Sequence, residues 1–193
     1  MTTVADEEED ATVRLLERAR AGDQAALDEL FERHLKLLER WATGRLPRWA
    51  RGNVDTSDLL QETMLETFKR LDSFEPRGRG ALQAYLRQAF INRLRNQLRR
   101  AMGRPVPEEL DSRIPDDATS PLAAAIRSET FDHYEAGLAQ LDPDERDAVV
   151  MRLELGFSYS EVAEALAKPS ADAARMAVAR ALVKLAKAMN LPS

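Results

Sequence analysis

A chain of 193 residues with 44% hydrophobic and 32% charged side chains can hold one core or two small ones, and is too apolar to be a disordered chain. Cysteine is absent, which excludes disulfides and thiolate metal sites, and no stretch reaches the roughly 18 uncharged apolar residues of a membrane span. The net charge of −5 conceals a segregation: Lys69 to Arg104 holds ten Lys or Arg against two Asp or Glu, whereas residues 1–10, 105–124 and 127–147 carry −5, −4 and −5.

The chain begins with an acidic run, Met1 to Asp10, without the basic start and apolar centre of a signal peptide. Residues 1–12 read as a solvated tail, and together with the missing cysteine they point to a cytoplasmic protein. Few aromatics and much Ala, Leu, Arg and Glu favour packed helices over sheets. Leu15, Leu16 and Ala19 precede a stop at Gly22-Asp23. Leu27, Leu30, Phe31, His34, Leu38 and Trp41 then recur at helical spacing, which makes His34 a core residue. Pro47 and Gly52-Asn53 mark a loop. Asp55, Thr56 and Ser57 offer oxygens to cap a helix whose apolar face is Leu60, Met64, Phe68 and Leu71. After a second loop at Pro76, Gly78 and Gly80, a long helix is expected from Ala81 to Ala101, burying Leu82, Leu86, Ala89, Phe90 and Leu94.

From Gly103 to Pro121 four prolines fall among acids, the texture of a linker. Fully extended it reaches roughly 65–70 Å, longer than the ~34 Å turn of DNA. Ile126, Thr130, Phe131 and Tyr134 open a second helical group. Asp142-Pro143 caps and starts the next helix, which runs through Val149, Val150 and Leu153 to a stop at Gly156. Two last helices, near Ser160–Ala167 and Ala171–Ala188, are joined by Lys168-Pro169-Ser170. The expected fold is all-α: two small helical domains, 13–102 and 122–193, joined by a Pro- and acid-rich linker at 103–121.

Two surfaces stand out. On the long helix Gln88, Asn92, Arg95 and Arg99 follow i, i+4, i+7 and i+11, one polar and basic strip suited to phosphates and exposed base edges. Tyr85 offers a stacking face for an unpaired base, and the Gly78-Arg79-Gly80 loop allows close approach. A solvated helix face and an ordinary core tyrosine explain the same residues. The final two helices have the layout of a helix-turn-helix. Val162, Ala163 and Leu166 would pack against Ala174, Val178, Ala181 and Leu185, with Ser170 as cap. Arg175, Met176, Ala179 and Arg180 would then face outward, where a recognition helix meets the major groove. A plain helical hairpin fits that pattern too.

Order and spacing carry a resemblance. Asp58-Leu59-Leu60-Gln61-Glu62-Thr63, then Phe68, Tyr85-Leu86 and Asn92, resembles region 2 of extracytoplasmic-function (ECF) sigma factors of RNA polymerase. Ala21-Gly22-Asp23-Gln24-Ala25-Ala26 is similar to the family's start. Leu141-Asp142-Pro143 with Arg146, and Gly156-Phe157-Ser158-Tyr159-Ser160-Glu161-Val162-Ala163, resemble its region 4. The resemblance implies a region 2 helical bundle and a region 4 helix-turn-helix. Asp58, Leu59, Gln61 and Glu62 would contact core RNA polymerase. Arg79, Tyr85, Gln88, Asn92, Arg95 and Arg99 would hold the non-template strand of the −10 element. Ser170, Arg175, Met176, Ala179 and Arg180 would read −35 duplex. Partners are core polymerase and promoter DNA, with an anti-sigma protein as a further candidate. The sequence departs from the family at Tyr85, where tryptophan is common, at Asn96, where aspartate is common, and at Ala173, Arg175, Met176 and Ala177, where Thr, Lys, Ser and Arg are frequent.

No enzyme site assembles. His34 and His133 fall in different domains without metal-ligand spacing, and Gly78 and Gly80 follow no strand. No catalytic residue, metal, cofactor, small-molecule substrate or membrane is expected. The rivals are a dimeric helix-turn-helix regulator working without polymerase, and a helical interaction module that binds no DNA.

Overall fold

Acidic side chains start two of the helices of the first half. In a computed structural model, which describes residues 4–71, 74, 80–106 and 129–189, helix α1 spans Val4–Arg20 and ends at Gly22, whose φ of 90° turns the chain. The Asp23 carboxylate then accepts from the Ala26 amide at 3.1 Å and starts α2, Gln24–Ala42. Arg18 pairs with the same carboxylate at 2.7 Å, holding the two helix ends together. The acids expected as a free tail continue α1 instead.

After a 3₁₀ turn at Arg48–Ala50, Asp55 accepts from the Ser57 amide at 2.8 Å and opens α3, Thr56–Phe68. Helix α4, Ala81–Ala101, is entered from Gly80, whose φ of 69° lies in the left-handed region. Leu82, Leu86, Phe90, Leu94 and Leu98 enter one core with Leu30, Leu38, Leu60 and Met64. Aromatic edges lock it: Phe31 meets Phe68 at 5.3 Å, and Trp41 meets Phe90 at 5.9 Å and 75°. His34 is buried there as the stripe predicts, its Nδ1 2.8 Å from Gln83 Oε1.

Of the expected linker, only 103–106 lie among the described residues. In the second group α5 spans Glu129–Gln140 and α6 Pro143–Val149; the latter runs on as a π-helical turn, Val150–Glu154. Gly156, at φ 65°, ends it. Ser158 and Glu161 form a reciprocal cap for α7, Tyr159–Ala165: the Ser158 amide donates to the Glu161 carboxylate at 2.7 Å, and the Glu161 amide to Ser158 Oγ at 3.3 Å. Helix α8, Ala171–Ala188, starts from Ser170, whose hydroxyl accepts from the Ala173 amide at 3.1 Å. Helix α5 lies close on α8 because Gly137 has no Cβ; one placed there would come within 2.9 Å of Leu185 Cδ1. Every regular element among the described residues is helical.

Candidate nucleic-acid interface

The strip on α4 divides into two halves. In its N-terminal half Gln88 is exposed and its Nε2 donates to Asn92 Oδ1 at 3.0 Å, so two amides stand one turn apart on one face. Just upstream, the half-buried Tyr85 ring lies 5.0 Å from that of Phe74, tilted by 41°. One edge of the ring is thereby fixed against the core. Arg79 lies outside the described residues.

The C-terminal half corrects the expectation of a single open surface. Arg95 Nε donates to the backbone carbonyl of Leu155 at 2.6 Å. Arg99 Nε stands 3.5 Å from Glu161 Oε1, with its guanidinium 5.8 Å from the Phe157 ring centroid. Both arginines are covered by the second helical group. Burial, with Arg99 alongside, pulls the Arg95 pKa below its ordinary value. Helical spacing put Gln88, Asn92, Arg95 and Arg99 on one face, but it carries no information on what packs there.

The same contact continues beside the strip, through residues that the sequence did not single out. Arg45, only 2% exposed, donates from Nη1 to Glu135 Oε2 at 2.7 Å and from Nε to Glu154 Oε2 at 3.0 Å. Its guanidinium stacks 4.4 Å from the Trp41 ring centroid. Tyr134 donates its hydroxyl to the other Glu154 oxygen at 2.8 Å. Burial opposes the Arg45 charge, but Glu135 and Glu154 outweigh it and raise the pKa. The Arg48 amide donates to Asp147 at 3.1 Å, and its guanidinium pairs with Asp144. Arg104 reaches Glu164 at 2.5 Å. Arg87 lies 4.1 Å from the Phe131 ring centroid, and burial lowers its pKa to about 10. The signal for this contact was present in the charge segregation: acids at 127–147 meet cations of the first group.

On α3, Asp58, Gln61 and Glu62 form an exposed strip, which Leu65, 55% exposed, extends by a turn. Leu59 departs from its expected place at a contact surface. One residue on from Asp58 it is turned about 100° round the helix, and it is 8% exposed in the core.

Helix α8 follows its spacing. Ala174, Val178, Ala181 and Leu185 are buried in the core that also holds Val162 and Ala163 of α7. Arg175, Met176, Ala179 and Arg180 are exposed, and Arg175 Nε makes only a 3.4 Å contact with Asp172. The turn before α8 contains Ala167 at φ 50°, a left-handed conformation uncommon for alanine.

A helical bundle with a polar and basic helix, followed by a helix-turn-helix with an open outer face, defines a two-module DNA-binding protein. The model of sigma-70 region 2 matches residues 30–104, and that of sigma-70 region 4 matches residues 134–185. The chain is 31% identical over 189 residues to the ECF RNA polymerase sigma factor SigM of Mycobacterium tuberculosis, covering 95% of this chain and 90% of that one. It is 31% identical over 174 residues to the RNA polymerase sigma factor CarQ of Myxococcus xanthus, covering 88% and 92%. With the ECF sigma factor SigD of M. tuberculosis it shares 30% over 167 residues, covering 86% and 77%. The chain therefore belongs to the ECF RNA polymerase sigma factors, which direct promoter recognition in transcription initiation. Both rival readings yield to that assignment. No helix among the described residues is long and apolar enough to cross a membrane.

Proposed function

We propose that the three surfaces divide the work of promoter recognition. Asp58, Gln61 and Glu62 on α3 dock the chain on core polymerase, with Leu65 as an apolar neighbour at the same contact. Gln88, Asn92 and Tyr85, joined by Arg95, Arg99 and Arg79, hold the non-template strand of the −10 element. An extruded base loses stacking energy of a few kcal/mol, and amides beside a tyrosine ring provide both an edge partner and a stacking face. Arg175 and Arg180, with Met176 and Ala179 between them, read the −35 duplex from the major groove while Ser170 caps the helix beneath them. The protein acts in the cytoplasm, and an anti-sigma protein is a further partner that fits the family.

The observation that carries this reading is the exposed strip Asp58-Gln61-Glu62 on the same bundle as the amide pair of α4. One set of groups can face polymerase while the other faces the strand beside it. The test is co-purification with core polymerase, followed by mapping of transcription starts on a genomic library. Asp58→Arg is expected to abolish co-purification while leaving the helical circular dichroism spectrum unchanged, since Asp58 is exposed. Wild-type recovery of polymerase by that variant would move the docking surface elsewhere.

A further inference from the structure

The buried line of α8 fixes which side chain stands foremost on its outer face. Ala174 and Val178 are buried, and Met176, two residues from each, lies about 160° round the helix from both at ~100° per residue. Met176 is 49% exposed on the side away from the core. Arg180 lies about 40° to one side of it, and Ala179 and Arg175 lie about 60° and 100° to the other, all three exposed. The cations therefore flank the face, and its centre is apolar. A recognition helix enters the major groove by its N-terminal half, which here includes Met176. Each base pair presents hydrogen-bonding groups in that groove, but the one apolar group is the C5-methyl of thymine. Serine, frequent at this position in the family, can bond to any base edge; a thioether donates nothing and accepts weakly. Against a polar edge Met176 would strip water from groups that it cannot bond. Against a methyl it buries apolar surface, and the short Ala179 side chain leaves room for the methyl beside it.

We infer, resting on the reading of α8 as the −35 helix, that Met176 is a specificity residue: it selects an A·T pair by the thymine methyl, with Ala179 forming the side of the methyl's seat. Arg175 and Arg180 hold the helix from its two flanks by their charge, on phosphates or guanine edges. Val183, 56% exposed, continues the apolar line two turns further on, but in the C-terminal half of α8 it lies beyond the bases.

The test uses the full chain assembled with core polymerase, on duplex promoter fragments that carry the mapped −35 element. Deoxyuridine replaces thymine one position at a time, which removes the methyl and leaves the hydrogen-bonding edge unchanged. Replacement at the selected pair should weaken binding about three- to fourfold, the share of one buried methyl group. Met176→Ala should bind the thymine duplex more weakly and no longer distinguish it from the deoxyuridine duplex, whereas Met176→Leu should keep the preference. Val183→Ala, on the same line but outside the groove, should keep it too. Met176 and Val183 are exposed, so the variants should retain the wild-type thermal midpoint. A −35 element without thymine in either strand, or equal wild-type binding of every thymine and deoxyuridine duplex, would overturn the inference. A preference that survives Met176→Ala would belong to duplex shape instead and would overturn it likewise. Failure of the −35 reading itself looks different: Arg175→Ala then leaves duplex binding unchanged, whereas failure of the methyl contact alone leaves the Arg175→Ala loss in place.

Discussion

Helices α4 and α8 each have one buried apolar face and one basic face, yet α4 buries Leu82, Leu86, Phe90, Leu94 and Leu98 where α8 buries Ala174, Val178, Ala181 and Leu185. The large side chains make α4 the centre of its bundle. The small ones let α5 and α7 approach α8 closely, with Gly137 opposite Leu185. On the outer faces the contrast reverses. Arg95 and Arg99 of α4 are bound to the second group, whereas Arg175 and Arg180 of α8 are exposed. The surface proposed to read intact duplex is open in the free molecule; the surface proposed to hold a separated strand is half covered.

The strongest test of the contrast in packing is Phe90→Ala. Phe90 is fully buried against Trp41, and its truncation should cost about 3–5 kcal/mol. Trp41 and Trp49 are the only tryptophans, and both lie in the first group. Urea unfolding followed by tryptophan fluorescence therefore reports on that bundle, and an unchanged midpoint would mean that α4 is not its centre. The contrast in exposure is tested next. Arg175→Ala should weaken −35 duplex binding by about 1–3 kcal/mol if it contacts a base by two hydrogen bonds, with the Asp172 pair offering little compensation at the surface. Arg99→Ala should leave that binding unchanged. Equal losses in a duplex gel-shift assay would erase the distinction between the two helices.

The parts that were legible in the sequence share a local cause. The bounds of α4 and α8 follow from 3.6-residue spacing, and the caps at Asp55 and Ser170 from short side-chain oxygens next to orphan amides. What escaped depends on distant partners. Arg45 has no special neighbours in the chain; Glu135 and Glu154 lie 90 and 109 residues away. Leu59 was assigned to a contact surface because it stands inside a recognised motif, although its position round the helix points it inward. The π-helical turn at Val150–Glu154 leaves no mark in the apolar pattern, because one extra residue per turn merely rotates the face. Ala167 is hidden for a different reason: left-handed turns usually advertise themselves by glycine, and here the chain uses alanine.

That alanine gives a smaller and opposite effect. Ala167→Gly removes the Cβ strain of a left-handed residue and adds chain entropy to the unfolded state, leaving a net stabilisation of about 0.5–1 kcal/mol. It should raise the thermal midpoint of the helix-turn-helix without altering −35 affinity.

The smallest expected effect is on pH dependence, at the junction of the two modules. Burial pushes the Glu161 pKa up, but the Ser158 amide and hydroxyl and the Arg99 and Arg104 charges outweigh it and hold it below the usual carboxylate value. A carboxyl whose folded pKa is depressed contributes stability above its unfolded pKa, about 4.3 for glutamate, and loses it as the pH falls through the folded value. The contribution is therefore complete at neutral pH and fades only under acid conditions. Other carboxylates titrate there too, including Glu145, which Lys184 holds low. The difference between wild type and Glu161→Gln isolates the group, since glutamine can still accept from the Ser158 amide. Their thermal midpoints should converge as the pH drops from 6 toward 3 in steps of about one unit. Parallel curves would place the acid sensitivity of the junction on carboxylates other than Glu161.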